Sequence, residues 1–404
     1  MGVFGLRLTA SVVVIITAVV LLRRREKENV VLSSINESGY EGQLHHTITE
    51  DGYILGLHRI LKQEEEEAEQ STKQPKERYP ILFVHGLESS AIDWIHFQGK
   101  NSLPYLLLEE GYDVWLGNVR GTQASFNHTS VDPYEDPEKF WDTSIHEIGY
   151  YDLPAMVDYV LETSKSEKLF YVGISQGEAT FLIMASSRPE YNKKIQLALL
   201  TSPSSHLRHS DNIVLKSLGS VWPVLQLGAR VVGLHTVPGR QLFGTICQYE
   251  IFSLVCSKLY DPFTGYSDIE QSESLTVAKM FEVYPVKSSM KQLLHYLQMY
   301  NSGIFRRFDY GPEENLKKYG IRDPPEYDLN NVTAPVSYFW GENDCWSRPK
   351  DVEEIEKKLP NMVLNYRVPH KAFNHYDVFM AKDAKILAYE KMIETIIHHS
   401  HDKS

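Results

Sequence analysis

Through the first half of the chain, short apolar runs alternate with amphipathic stretches. Gly52 to Ile60 alternates with period two after the turn Glu50-Asp51-Gly52 and predicts a strand. Tyr79 to Val84 and Tyr112 to Leu116 are apolar runs of strand length. Between them Leu103 to Glu110 has helical character, with Gly111 placed as its cap. Tyr151 to Glu162 is an amphipathic helix pattern. Leu169 to Val172 is a strand that runs into Gly173-Ile174-Ser175-Gln176-Gly177. Glu178 to Ser186 then reads as a helix ending before Pro189, and Ile195 to Leu200 as a strand. Strand and helix in turn predict an α/β fold with a mostly parallel sheet covered on both faces. The rhythm breaks over 204–304, where Val214–Leu227, Leu242–Leu259 and Ser289–Tyr300 read as helices. It resumes with strands at Val336–Trp340 and Val363–Val368, a loop Pro369–Asp377, and a closing helix Lys382–His398. The organisation expected is a leader over 1–28, a core over 29–203, an inserted helical cap over 204–304, and the rest of the core over 305–404. A separate binding domain over 204–304 is the alternative.

A hydrophobic content of 42% in 404 residues is enough to bury a large core. The 41 basic residues against 53 acidic ones leave a net charge of −12, which argues against a nucleic-acid partner. Glu64 to Arg78 is a charged, solvated loop without assigned function. Leu8 to Leu22 is an apolar run after Arg7, shorter than a full membrane span and suited to a secretory signal. Arg23-Arg24-Arg25 follows and no clear cleavage site appears, so an uncleaved membrane anchor is the alternative. Sequons at Asn36, Asn127 and Asn331 imply a lumenal body if used. Three cysteines, Cys247, Cys256 and Cys345, fit one disulfide and one free thiol, and their spacing supports no metal site.

The chemistry starts at Ser175. A strand, a Gly-x-Ser-x-Gly turn and a helix make the setting of a nucleophile elbow, in which the glycines allow close approach of strand and helix and the serine hydroxyl stands exposed. A serine needs a base, and the base needs an acid that fixes its tautomer. In an elbow fold the acid and then the base follow the serine along the chain. Asp344 lies after a late strand, and His370 and His375 both lie after the next one. The strand ending in His85-Gly86-Leu87 is placed to offer backbone N–H groups to a developing oxyanion.

Several stretches together resemble the acid lipases, the gastric and lysosomal group of α/β-hydrolases. They include Thr49-Glu50-Asp51-Gly52-Tyr53, His85-Gly86-Leu87, Gly111-Tyr112-Asp113-Val114-Trp115, Arg120-Gly121, Tyr151-Asp152-Leu153-Pro154, Ser175-Gln176-Gly177, Pro324-Pro325-Glu326-Tyr327 and Phe373-Asn374-His375-Tyr376-Asp377. The resemblance implies an α/β-hydrolase fold, with Ser175 as nucleophile, Asp344 as acid and His375 as base. It implies an oxyanion hole from the N–H groups of Leu87 and Gln176, a Cys247–Cys256 disulfide in the cap and a free Cys345. It also implies a lipid ester substrate met at a lipid–water interface, with no metal and no cofactor. Secretion or a lysosomal destination follows from it. The chain departs from the family at Ile174, which stands where the elbow has His. It departs again at Glu88, and over Tyr284-Pro285-Val286-Lys287-Ser288-Ser289 in the cap. An acyltransferase using the same triad, or a lipid-binding protein without turnover, are the rival readings. Oligomeric state is not legible.

Overall fold

A computed structural model of the chain describes residues 30–63, 79–237 and 286–401, together with Lys258, Asp261, Thr264, Gly265, Gln271 and Val283. The apolar run 8–22, the charged stretch 64–78, most of the helix expected at Leu242–Leu259, and Cys247 and Cys256 lie outside the described residues. Among the described residues no helix is long and apolar enough to cross a membrane.

The core is one eight-stranded sheet in the order β1-β2-β4-β3-β5-β6-β9-β10. Its strands are β1 Glu41–Ile48, β2 Ile54–Leu61, β3 Pro80–Val84, β4 Asp113–Gly117, β5 Leu169–Ser175, β6 Ile195–Pro203, β9 Val336–Trp340 and β10 Met362–Arg367. From β4 to β10 all neighbours are parallel, while β1 with β2 and β2 with β4 are antiparallel. The parallel strands are apolar on both faces. Leu82, Val84, Tyr171, Ala198 and Leu200 join one hydrophobic cluster, while their chain neighbours Ile81, Phe83, Phe170, Leu197 and Leu199 join another. Period-two alternation sends successive side chains to opposite faces, and each face needs its own helical cover. The helices Leu153–Ser164 and Gln176–Ser187 cover the first. Leu103–Glu109 and Glu390–His401 cover the second.

Strand β1 has no counterpart in the pattern reading. It is an edge strand with one neighbour, its Glu-Gly-Gln-Leu-His-His-Thr-Ile sequence is mostly half-buried, and the apolar alternation is therefore faint. The helix expected over Val214–Leu227 is two helices, Ile213–Leu218 and Trp222–Val231, joined by a tight turn Gly219–Val221. Pro223 explains the break, since proline fits the first turn of a helix but not its interior. Between β6 and β9 the chain also forms a small antiparallel pair, β7 Thr236–Val237 with β8 Ser288–Ser289, followed by the helix Met290–Ser302. On Trp222–Val231 the side chains of Val224, Leu227 and Val231 are 70%, 63% and 77% exposed. The closing helix begins with a wide turn Lys385–Tyr389 and is regular only from Glu390.

Candidate active site

The β5 strand ends at Ser175 and the next helix begins at Gln176, so no loop residue intervenes. Ser175 has φ 52° and ψ −114°, a conformation that costs a non-glycine residue about 1–3 kcal/mol. Both elbow glycines are sterically required. A Cβ on Gly177 would stand 2.5 Å from the Val84 carbonyl of β3, and one on Gly173 would stand 2.8 Å from the Gly177 carbonyl. Tyr171 Oη donates to that same Gly177 carbonyl at 2.8 Å and pins the turn from within the core. Ile174 is buried with the apolar cluster on the second face.

His375 lies in the loop after β10, and Asp344 in the loop after β9. His375 Nε2 is 2.9 Å from Ser175 Oγ, and its Nδ1 is 2.8 Å from Asp344 Oδ2. A carboxylate can only accept, so Nδ1 carries the proton and Nε2 is free to accept from the serine. The other Asp344 oxygen accepts from the Trp346 N–H at 2.8 Å, which fixes the carboxylate plane. The Trp346 ring stacks on His375 with centroids 5.6 Å apart, and Tyr296 packs edge-on against Trp346 at 5.7 Å. The two loops are also tied to each other. The Asn343 N–H donates to Phe373 carbonyl at 3.2 Å, and Asn343 Nδ2 donates to Ala372 carbonyl at 3.0 Å. His370, equally eligible by its place in the chain, stands five residues back and donates its N–H to Val368 carbonyl.

The sequence led us to expect an exposed serine hydroxyl, and this is corrected. Ser175 is only 8% exposed, and His375 and Asp344 are 1% exposed. The pattern reading placed the elbow at the open end of the sheet. It could not foresee how tightly His375 and the loop at Gly86 close over Ser175.

A Cβ added to Gly86 would lie 3.3 Å from Ser175 Cβ, so the His85-Gly86-Leu87 loop lies directly against Ser175. The Val119 N–H donates to His85 Nε2 at 3.2 Å, which leaves the proton on Nδ1 to be donated to Gly86 carbonyl at 2.9 Å. Burial holds the His85 pKa down at about 4, so the ring stays neutral. The Gly86 carbonyl and the Leu87 N–H share one planar peptide and point in opposite directions. Drawing the carbonyl toward His85 therefore turns the Leu87 N–H away from it. Gln176 opens a helix, and its N–H is among the four donors that a helix leaves without an internal partner.

Not every recurring motif serves this site. Asp51, Arg120 and Asp152 meet in an ion cluster in which Arg120 and Asp152 are buried and Asp51 is half-buried. Arg120 is 2.6 Å from Asp152 and 2.7 Å from Asp51, with its guanidinium over the Tyr53 ring at 4.0 Å. That cluster ties the β1–β2 turn to the start of the Leu153–Ser164 helix and contains no triad residue. Tyr327 likewise reaches His146 Nδ1 at 3.0 Å, not the triad. Glu178 was missed altogether. Its buried carboxylate accepts from the N–H groups of Ser204 and Ser205 at 2.9 and 3.0 Å, from Ser205 Oγ at 2.6 Å and from Tyr338 Oη at 2.8 Å. The available signal was a lone acid in an otherwise apolar helix pattern. Cys345 is free and buried, and burial raises its thiol pKa. Among the described residues no group of three or more His, Cys, Asp or Glu side chains is arranged to hold a metal.

Residues 79–377 match the alpha/beta hydrolase fold family, and residues 31–97 match its partial alpha/beta-hydrolase lipase region. Lipase 1 of Drosophila melanogaster is 36% identical over 368 residues, covering 90% of this chain and 78% of the relative. Gastric triacylglycerol lipase of Rattus norvegicus is 34% identical, covering 88% of each chain. A candidate lipase structure from Sulfolobus solfataricus superposes with a TM-score of 0.58 at 12% identity, over 89% of this chain and 95% of that one, and speaks to the fold alone. With identity of this extent and a site of this geometry, the chain belongs to the acid lipase family of α/β-hydrolases and is a carboxylic ester hydrolase.

Proposed function

We propose that the chain hydrolyses carboxylic esters of neutral lipids, triacylglycerols or steryl esters, through an acyl-enzyme on Ser175. The observation that carries this is the unbroken hydrogen-bonded line from Ser175 through His375 to Asp344, held in one tautomer. Ser175 Oγ attacks the ester carbonyl while its proton passes to His375 Nε2. Asp344 stabilises the imidazolium that forms. The N–H groups of Leu87 and Gln176 receive the negative oxygen of the tetrahedral intermediate. Collapse expels the alcohol, which takes the proton back from His375. Water, deprotonated by the same ring, then attacks the acyl-enzyme and releases the fatty acid. Where an acceptor alcohol replaces that water the same steps make an acyltransferase, and product analysis with and without added alcohol separates the two.

Lipid as the substrate class is supported by the named lipase relatives and by the apolar face that Trp222–Val231 presents to solvent. We place the segment 204–304 as the cap that receives the acyl chain. We also place the body in the secretory pathway, secreted or lysosomal, with an N-terminal anchor as the alternative. Asn36, Asn127 and Asn331 are all exposed. Glycosidase treatment of the cell-made protein is expected to raise its gel mobility, and an unchanged band counts against a lumenal body.

The deciding experiment compares the wild type with Ser175→Ala and Asp344→Asn on esters of increasing chain length, below and above dispersion. Ser175→Ala is expected to be folded and inactive. Asp344→Asn is expected to lose roughly 10⁴-fold in kcat through the wrong His375 tautomer. The wild type is expected to favour dispersed long-chain esters. Full activity in Ser175→Ala removes the triad, and a preference for short soluble esters removes the lipid.

A further inference from the structure

Described residues of the segment between β6 and β9 reach the loop that lies against Ser175 and the loops that carry Asp344 and His375. Three of its described residues make backbone contact with three separate parts of the catalytic apparatus. The Val286 N–H donates to the Glu88 carbonyl at 2.7 Å, directly after the Leu87 amide. The Thr264 carbonyl accepts the backbone N–H of His375 itself at 3.0 Å. Gly265, at φ +105°, lies against the residues that precede the acid and the base. A Cβ there would collide with the Asn343 carbonyl and stand 3.1 Å from Asn374 Cβ. The Gly265 N–H is in turn held by the Asp261 carbonyl at 2.9 Å.

We infer that Thr264–Gly265 is a positioning segment for the catalytic base, so that the order of His375 depends on the seating of Thr264–Gly265. The inference rests on the triad reading above. His375 sits in an irregular loop, and neither a strand nor a helix ladder satisfies its buried N–H. A buried N–H needs an acceptor, and the one supplied comes from far away in the chain. Productive triad geometry tolerates displacements of only about 0.5 Å, and a 1 Å misplacement can cost about 10²-fold. When Thr264–Gly265 lifts, the His375 amide loses its acceptor and the wall against Asn343 and Asn374 goes with it. The base and the acid then loosen together. Tyr296 of Met290–Ser302 packs on the Trp346 ring that stacks on His375, a second and indirect contact from the stretch between β6 and β9. A simple substrate gate would govern access of bulky esters only. A positioning segment governs the chemical step for every ester, including those small enough to need no gate.

The test uses the full chain and its Gly265→Ala variant. The readouts are kcat and KM on p-nitrophenyl butyrate, and the rate at which a fluorophosphonate labels Ser175. Gly265→Ala is expected to lower kcat on this short ester by about 10- to 100-fold with KM within about twofold, the signature of a transition-state loss. Fluorophosphonate labelling is expected to slow by the same factor. Wild-type values of both, with loss confined to long-chain esters, overturn the inference and leave a gate. Failure of the triad reading itself looks different, since Ser175→Ala would then turn over like the wild type. A measurement on the wild type guards against a variant that does not fold. Amide exchange of the peptides spanning His375 and Thr264–Gly265 is expected to proceed at a common rate and to accelerate together on dodecyl maltoside micelles. Free exchange at Thr264–Gly265 beside a protected His375 peptide also overturns it.

Discussion

At the residue scale, Glu88 is the side chain that most distinguishes this site electrically. It follows the Leu87 amide, adopts φ 55°, and burial pushes its carboxyl up to about 7. Below that pH the group is neutral. Above it, the group carries a full negative charge one residue beyond the Leu87 amide proposed for the oxyanion. At an effective dielectric of about 20, a unit charge about 8 Å from a developing oxyanion costs it about 2 kcal/mol, or more than tenfold in rate. On a soluble ester, kcat is therefore expected to fall as pH rises through 7, and Glu88→Gln is expected to lose that descending limb. Identical limbs in both proteins would show that Glu88 does not face the oxyanion. The same scale shows what the sequence could tell. Ser175 was legible because the Gly-x-Ser-x-Gly turn answers a steric demand met within five residues. Asp344 was legible because acids of this fold follow a late strand. The choice of His375 over His370 was not legible from the residues, since both occupy one loop. Only the fold of that loop separates them, and the family resemblance had to stand in for it. The Trp346 stack and the Thr264 bond were invisible for the same reason, because each joins residues far apart in the chain.

At the scale of elements, the helix that follows Ser175 is the joint of the structure. Gln176–Ser187 carries Glu178, whose carboxylate gathers donors from Ser204, Ser205 and Tyr338 and so ties three elements at one point. The carboxyl is fully buried, and burial raises its pKa, against the four donors that favour its ionised form. Glu178→Ala would leave two backbone N–H groups and two hydroxyls without their acceptor. The cost expected is about 3–5 kcal/mol, read in urea unfolding. Glu178→Gln keeps an acceptor oxygen and is expected to cost less than half of that. Equal losses in the two variants would mean that packing, not the donors, sets the price. The elements of the parallel sheet were easy to place from sequence because strands buried on both faces are continuous apolar runs. Edge strand β1 and the split helix at Gly219–Val221 were not, because one is half-solvated and the other breaks on a proline that only the register reveals.

At the scale of the whole molecule, the buried histidines set how the fold answers acid. His58, His85, His146 and His295 have pKa values brought down to about 4, and His206 to about 3, in each case chiefly by burial. Each is neutral in the fold but takes a proton near pH 6.5 when unfolded. Their stabilising contribution is therefore present above pH 6.5 and is lost as pH falls toward 4. Glu88 at about 7, Asp152 and Asp351 at about 6, and Glu178, raised by burial, act in the opposite sense. All four hold protons in the fold at a pH where the unfolded chain has released them, so their contribution grows as pH falls through the same window. Five histidines against four such carboxyls leave the unfolded chain binding slightly more protons, and stability then declines on acidification by a small margin. Tm is expected to fall steadily between pH 6.5 and 4. His146 and His295 face the joint between Ser144–Glu147 and Met290–Ser302, where Glu147, Lys291 and the Arg306 carbonyl are their neighbours. Replacing both by Asn is expected to flatten the Tm profile over that window even if it lowers Tm throughout. A wild-type Tm that rises toward pH 4 would mean that the buried carboxyls outweigh the histidines, and that the fold is built to tighten in acid.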